Sequence, residues 1–291
     1  MPKRTSPRAF WLLIALAIAG PPIVSFALQS SPDLLQGVVH RIPEPQPVVI
    51  RPRLFVAYGA LIAASTLAIL YLYRGRGFVV YWIISWTMLA ASYTLNARGY
   101  EDVLLGSVMI GLSQLLAVWS SALILLSVPP FAKRDRERWS IPVQAGAATA
   151  VWFLVSPFVV PLSAVLYTGG ATSALLKAFA SARFARVARR TPIVGAFMLS
   201  AALAVMSVLD ATGAVMAYRP DWNSSYANIL LAFTIVLGIV IALGMHLLVF
   251  EDMTDEIRRT NLALAAANEE VKRLAITDPL TGCYNRRFFD E

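Results

Sequence analysis

The 291-residue sequence predicts an all-α fold. It reads as a polytopic membrane bundle of eight transmembrane helices, or seven if the first is cleaved as a signal peptide, followed by a coiled-coil stalk helix. Three observations predict this. Hydrophobic residues make up 58% of the chain and charged residues only 14%, where a soluble domain carries about 25% charged. Apolar runs of roughly 18 residues or more recur, each long enough as a helix to cross the hydrocarbon core of a bilayer. After the last run the apolar residues change to an alternation of three and four, the spacing of a heptad seam.

The hydrophobic segments fall at 9–28, 53–73, 78–97, 103–128, 142–160, 162–182, 192–217 and 226–250. The first has a basic start, an apolar run, and small residues at Ser25 and Ala27, so residues 1–28 are either a first transmembrane helix or a signal peptide. Residues 29–52 form a Pro-rich outer loop, with Pro32, Pro43, Pro45, Pro47 and Pro52 holding it extended. That loop is too short to be a ligand-binding domain. Residues 53–250 then make a seven-helix membrane domain. Within it, 142–182 has almost no polar break, and the split is placed at Ser156-Pro157 to Pro161, because proline lacks a donor and clashes with the preceding turn. Gly169-Gly170 is the competing turn.

Charge sets the orientation. With the N-terminus inside, the inner loops hold thirteen basic residues: Lys3, Arg4, Arg8, Arg74, Arg76, Lys133, Arg134, Arg136, Arg138, Arg183, Arg186, Arg189 and Arg190. The outer loops hold five: Arg41, Arg51, Arg53, Arg98 and Arg219. The excess follows the positive-inside rule and puts the C-terminus in the cytoplasm. The net charge of +8 is thereby explained by short loops between apolar runs, with no nucleic-acid partner implied. One cysteine, Cys283, excludes a disulfide framework within the chain.

The stalk spans 250–276. Phe250, Met253, Ile257, Thr260, Leu264, Ala267, Val271 and Leu274 form an unbroken seam, which predicts a homodimer through the stalk and membrane helices. Asp255 with Arg259 and Glu269 with Arg273 stand off the seam at the favourable i, i+4 spacing. Thr260 and Ala267 pack poorly, so the pairing is expected to be weak.

Residues 278–291 read DPLTGCYNRRFFDE. This resembles the opening of the GGDEF domain of bacterial diguanylate cyclases, which usually begins Asp-x-Leu-Thr-Gly-Leu-x-Asn-Arg-Arg. Asp278, Leu280, Thr281, Gly282, Asn285, Arg286 and Arg287 match, and Cys283 replaces the usual Leu. The resemblance covers fourteen residues of the chain. The family's Gly-Gly-Asp/Glu-Glu-Phe loop, metal-binding carboxylates and guanine-binding residues have no counterpart in this sequence. The resemblance implies the sensor and stalk region of a bacterial inner-membrane cyclase, with the C-terminus cytoplasmic. The intact protein would join two GTP into cyclic di-GMP across a dimer. Asp278, Leu280, Thr281, Asn285, Arg286 and Arg287 would couple stalk to catalytic domain. No catalytic residue is assigned, no enzyme activity is expected of these 291 residues alone, and GTP and magnesium are expected only with the catalytic domain. No cofactor or metal is expected in this chain.

Two polar residues are candidates for intramembrane sensing of an unidentified ligand or partner protein. Asp210 sits about 10 Å of helix from the outer end of its segment, a costly depth for a carboxylate. Tyr93, Asn96 and Arg98 are its candidate partners; a structural bond between two helices is the competing role. His246 lies near the inner end of the last segment, where a simple polar contact competes with a pH-sensitive role. The other histidine, His40, is in the outer loop, so no paired-histidine site forms in one chain. Lys177 is expected to snorkel to the inner interface. Ser113 and Gln114 are expected to bond across helices, Trp11, Trp82, Trp139 and Trp222 to lie at interfaces, and Ala60, Ala64 and Ala68 with Ala196, Ser200 and Ala204 to permit close packing.

Other output classes are the input half of a histidine kinase, a degenerate GGDEF or phosphodiesterase protein, and a transporter-like protein. The first requires a phosphate-accepting His after the stalk, and residues 251–291 contain none. No internal repeat or pair of broken helices suggests a transporter.

Overall fold

A computed structural model describes residues 47–97, 100, 102–128, 140–190, 193–217, 224–276 and 284, with side chains omitted at 47–52, 140–142 and 224–227. Among these residues there are seven helices and no strand. They are α1 (Pro47–Arg74), α2 (Gly77–Asn96), α3 (Val103–Leu126), α4 (Ser140–Val159), α5 (Leu162–Arg190), α6 (Val194–Met216) and α7 (Ser224–Ile276).

Five stretches are long and apolar enough to cross a membrane: Arg53–Arg74, Gly77–Asn96, Val103–Leu126, Val194–Met216 and the span that begins at Asn228. Two more of the expected crossings are also helices. α4 is an apolar helix of 20 residues, Ser140–Val159. In α5, Lys177 and the polar and small residues Thr168, Gly169, Gly170, Thr172 and Ser173 dilute the apolar run. The segment 9–28 and the outer loop up to residue 46 lie outside the described residues, as do Trp11, Trp139 and Trp222.

The expected break between α4 and α5 falls at Val160-Pro161, and Gly169-Gly170 continue the helix instead of turning it. Pro157 sits inside α4. Without an N–H it leaves the Phe153 carbonyl no helical donor. Gly111 of α3 lies against that point: a Cβ there would meet Phe153 O at 2.5 Å and Pro157 Cγ at 2.6 Å. Only a glycine lets α3 approach the proline turn so closely. At the other short connection, Gly75 ends α1 in the left-handed conformation (φ 61°), and its N–H donates to Tyr71 O at 2.7 Å.

The chain divides into two compact units, Met1–Met245 and His246–Glu291. In the first, α5 and α6 form the most extensive pair, and α3 packs on α2, α4 and α5. Small and polar residues line these contacts. Trp82 is fully buried and donates to Ser127 Oγ at 2.7 Å; Ser85 and Ser120 hydroxyls lie 3.0 Å apart; Ser181 Oγ donates to Ser200 O at 2.8 Å. In an apolar solvent such bonds and close backbone approach replace the hydrophobic effect as the cause of helix association. Ala60, Ala64, Ala68, Ala196 and Ser200 are buried as expected, whereas Ala204 faces outward. Trp82 is buried against Ser127, the residue that caps the end of α3. Ser113 bonds Ile110 O within its own helix, and Gln114 lies against Gly169.

The second unit holds the remainder of α7. Phe250, Ile257, Leu264, Val271 and Leu274 are all at least half exposed, Thr260 and Ala267 are exposed, and Met253 is half-buried. The seam is therefore an open apolar stripe on a helix that continues unbroken from the apolar span. Asp255 and Arg259 pair at 2.6 Å as expected. Glu269 pairs with Lys272 and Glu270 with Arg273, both at i, i+3, in place of Glu269 with Arg273. The Arg273 fork takes both Glu270 oxygens, at 2.8 and 2.9 Å, a two-bond geometry that one Glu269 contact does not match. The segment from Asp278 to Arg287 falls outside the described residues except for Tyr284.

Candidate functional site: a charged cluster inside the bundle

Helix phase places Lys177. On α5, Ser173, Lys177, Ser181 and Phe184 recur at three- and four-residue intervals and are buried, while Leu175 and Phe179 on the opposite side are exposed. The Lys177 stem thus points at α6 and not at lipid. Its ammonium pairs with Asp210 of α6, with the two side chains 10% and 22% exposed. It donates also to Ser173 Oγ at 3.1 Å, and Ser173 shares a 2.7 Å bond with Ser121 of α3. This corrects the expected snorkelling of Lys177. A buried carboxylate one helix away is a better partner than the interface, and leaving either charge alone in hydrocarbon is costly.

Gly170 makes the approach possible. A Cβ on it would come within 2.9 Å of Ala214 Cβ and 3.2 Å of Asp210 O. Ser207 adds a bond from α6 to Ala174 O of α5 at 2.8 Å.

The cluster's surroundings include the first two helices. Tyr93 of α2 is near enough to Asp210 and to Arg53 to feel both charges, while on α7 the Thr234 hydroxyl donates to Leu230 O of its own helix at 2.9 Å. Arg53 of α1 donates to Asn96 O at 2.6 Å. Of the candidate partners of Asp210, Tyr93 is thus near it, Asn96 serves Arg53 through its backbone, and Arg98 is outside the described residues. The direct partner, Lys177, was passed over in the sequence because it was read by its chemistry alone. The serines four residues to either side of it mark the polar inner face and were the available signal. His246 is half-buried on α7, twelve residues beyond Thr234.

What can this arrangement do? It pairs one carboxylate with one ammonium near a phenol, and ties α3, α5 and α6 through polar contacts, with α1 bonded to α2 alongside. No group of three or more His, Cys, Asp or Glu able to hold a metal occurs among the described residues. The cluster is an electrostatic tie between helices.

No family model, curated protein or solved structure matches this chain.

Proposed function

We propose that the chain is the membrane sensor and signalling stalk of a bacterial diguanylate cyclase, working as a homodimer in the inner membrane with its C-terminus in the cytoplasm. The observation that carries the reading is the continuity of α7. One 53-residue helix runs from the apolar span into an exposed heptad seam and stops just before the Asp278–Arg287 segment. That order, span then stalk then a GGDEF-like opening, is what a cyclase regulated from the membrane requires. The membrane domain in this reading has eight crossings, or seven after cleavage, and α4 and α5 each turn an exposed apolar face outward.

The mechanism follows from the dimer. Each catalytic domain holds one GTP, so activity depends on how the two stalks set the rotation and spacing of two half-sites. Asp210 stands on α6, which packs closely on α7: a Cβ on Gly244 would lie 3.3 Å from Leu199 N. A stimulus that alters the cluster shifts the balance between two stalk arrangements, and a difference of a few kcal/mol suffices to switch such an equilibrium.

The test is to replace Asp278–Glu291 with a complete GGDEF domain and measure cyclic di-GMP while inserting one to four, or seven, residues after Leu264. Insertions of one to four change the phase of the seam and are expected to change output; seven restores the phase and the output. Equal activity in all six proteins, the uninserted one included, would exclude control through stalk phase.

A further inference from the structure

The exposed stripe of α5 changes chemistry without changing direction. Leu175 and Phe179 are each 62% exposed, Ala182 is exposed, and Arg186, Arg189 and Arg190 are exposed in turn. Phe179 and Arg186 are a heptad apart and Phe179 and Arg190 eleven residues apart. Each spacing drifts by only about 20° on an α-helix, in opposite senses. Leu175 and Arg186 are also eleven apart. The side that faces acyl chains thus becomes the side that presents guanidinium groups, over about 10 Å of helix from Phe179 to Arg186. The opposite side stays packed throughout, with Ala180 and Phe184 fully buried and Lys177 turned to Asp210. No acidic residue occurs between Glu137 and Asp210, so nothing on α5 or on the adjoining part of α6 neutralises the arginines.

We propose that this stripe binds one anionic glycerophospholipid, its acyl chains along Leu175 and Phe179 and its phosphate on Arg186 and Arg190, with Arg189 at the flank. Charge complementarity and the 10 Å step from apolar to cationic match the step from chain to headgroup. A soluble anion would need only the arginines. A positive inner loop without a bound lipid would not need them in register with the apolar stripe. The inference rests on membrane insertion alone and stands whatever output the stalk controls.

The test uses the full chain in nanodiscs with spin-labelled phosphatidylglycerol or spin-labelled phosphatidylcholine, reading the motionally restricted fraction. Phosphatidylglycerol is expected to be preferred, and the preference to fall about fivefold for each of Arg186 and Arg190 changed to Gln, from the typical gain per basic residue at an anionic surface. R186K/R190K is expected to keep most of the preference, which separates loss of charge from misfolding. F179S is expected to weaken restriction of both lipids, since it removes the acyl contact. Equal restriction of the two lipids in the unaltered protein, or a preference untouched by R186Q/R190Q, would overturn the proposal. So would displacement of phosphatidylglycerol by millimolar inorganic phosphate, which would make this a site for a free anion.

Discussion

Removing Asp210 is expected to cost more than removing Lys177, although each deletes the same ion pair. Lys177 is the more deeply buried, with its side chain 10% exposed against 22% for Asp210. In Asp210→Ala the ammonium keeps only Ser173 Oγ at 3.1 Å. A stranded buried charge of this kind costs about 3–5 kcal/mol. In Lys177→Met the thioether chain refills the volume, and the carboxylate is left in the more open position near Tyr93, so the cost falls to about 1–3 kcal/mol, that of an unsatisfied polar group. Both exceed the roughly 0.6 kcal/mol of an ordinary interhelical hydrogen bond in a membrane protein. The double variant Lys177→Met, Asp210→Leu strands no charge and is expected to lie within about 1 kcal/mol of the starting protein. Unfolding in mixed detergent micelles, followed by tryptophan fluorescence, measures all three. Losses below 1 kcal/mol in both single variants, or a double variant as unstable as the sum of the singles, would refute a buried, mutually dependent pair.

Other consequences follow from particular contacts. Gly111→Ala drives a methyl into Phe153 O and Pro157 Cγ and is expected to destabilise the bundle by about 1–3 kcal/mol in the same unfolding assay, while Gly59→Ala, with open space around it, is expected to be close to neutral. Gly170→Leu is expected to separate α5 from α6 and lower the thermal midpoint more than Gly213→Leu, which meets nothing. On the stalk, the hydrogen bond from Arg273 holds the Glu270 carboxyl below the usual carboxylate range. Its contribution to the helix is therefore fully present above the unfolded value of about 4.3 and is lost as pH falls through the lower folded value. Circular dichroism is expected to show helix content flat from pH 7 to 5 and declining below about 4, with Arg273→Gln flattening that decline.

How much of this was legible in the sequence depended on whether a signal was local. The apolar runs give all seven described helices their place directly, and Pro161 marks the α4–α5 boundary because proline acts within its own turn. The heptad seam is equally local, and Ile257, Leu264 and Val271 stand along one exposed stripe as their spacing requires. The main misreading turned on a partner from a distant part of the chain. Lys177 resembles a snorkelling lysine until its phase beside Ser173 and Ser181 is set against Asp210, thirty-three residues later. Asp210 stood out in sequence because an intramembrane carboxylate is rare, yet its partners required the antiparallel packing of α5 on α6, which no residue spacing specifies. Glu269 and Glu270 offer Arg273 two competing carboxylates, and the choice depends on side-chain geometry.

The account rests most heavily on the stalk pairing through its seam. The direct measurement is a cysteine scan from Ile257 to Val271 in native membranes, with Cys283 changed to Ser, scoring oxidative crosslinks between copies. The account predicts maxima at 257, 260, 264, 267 and 271 with minima between them. A flat profile, or maxima on the Arg259 and Glu269 side of the helix, would contradict a paired stalk and with it the proposed route of signalling.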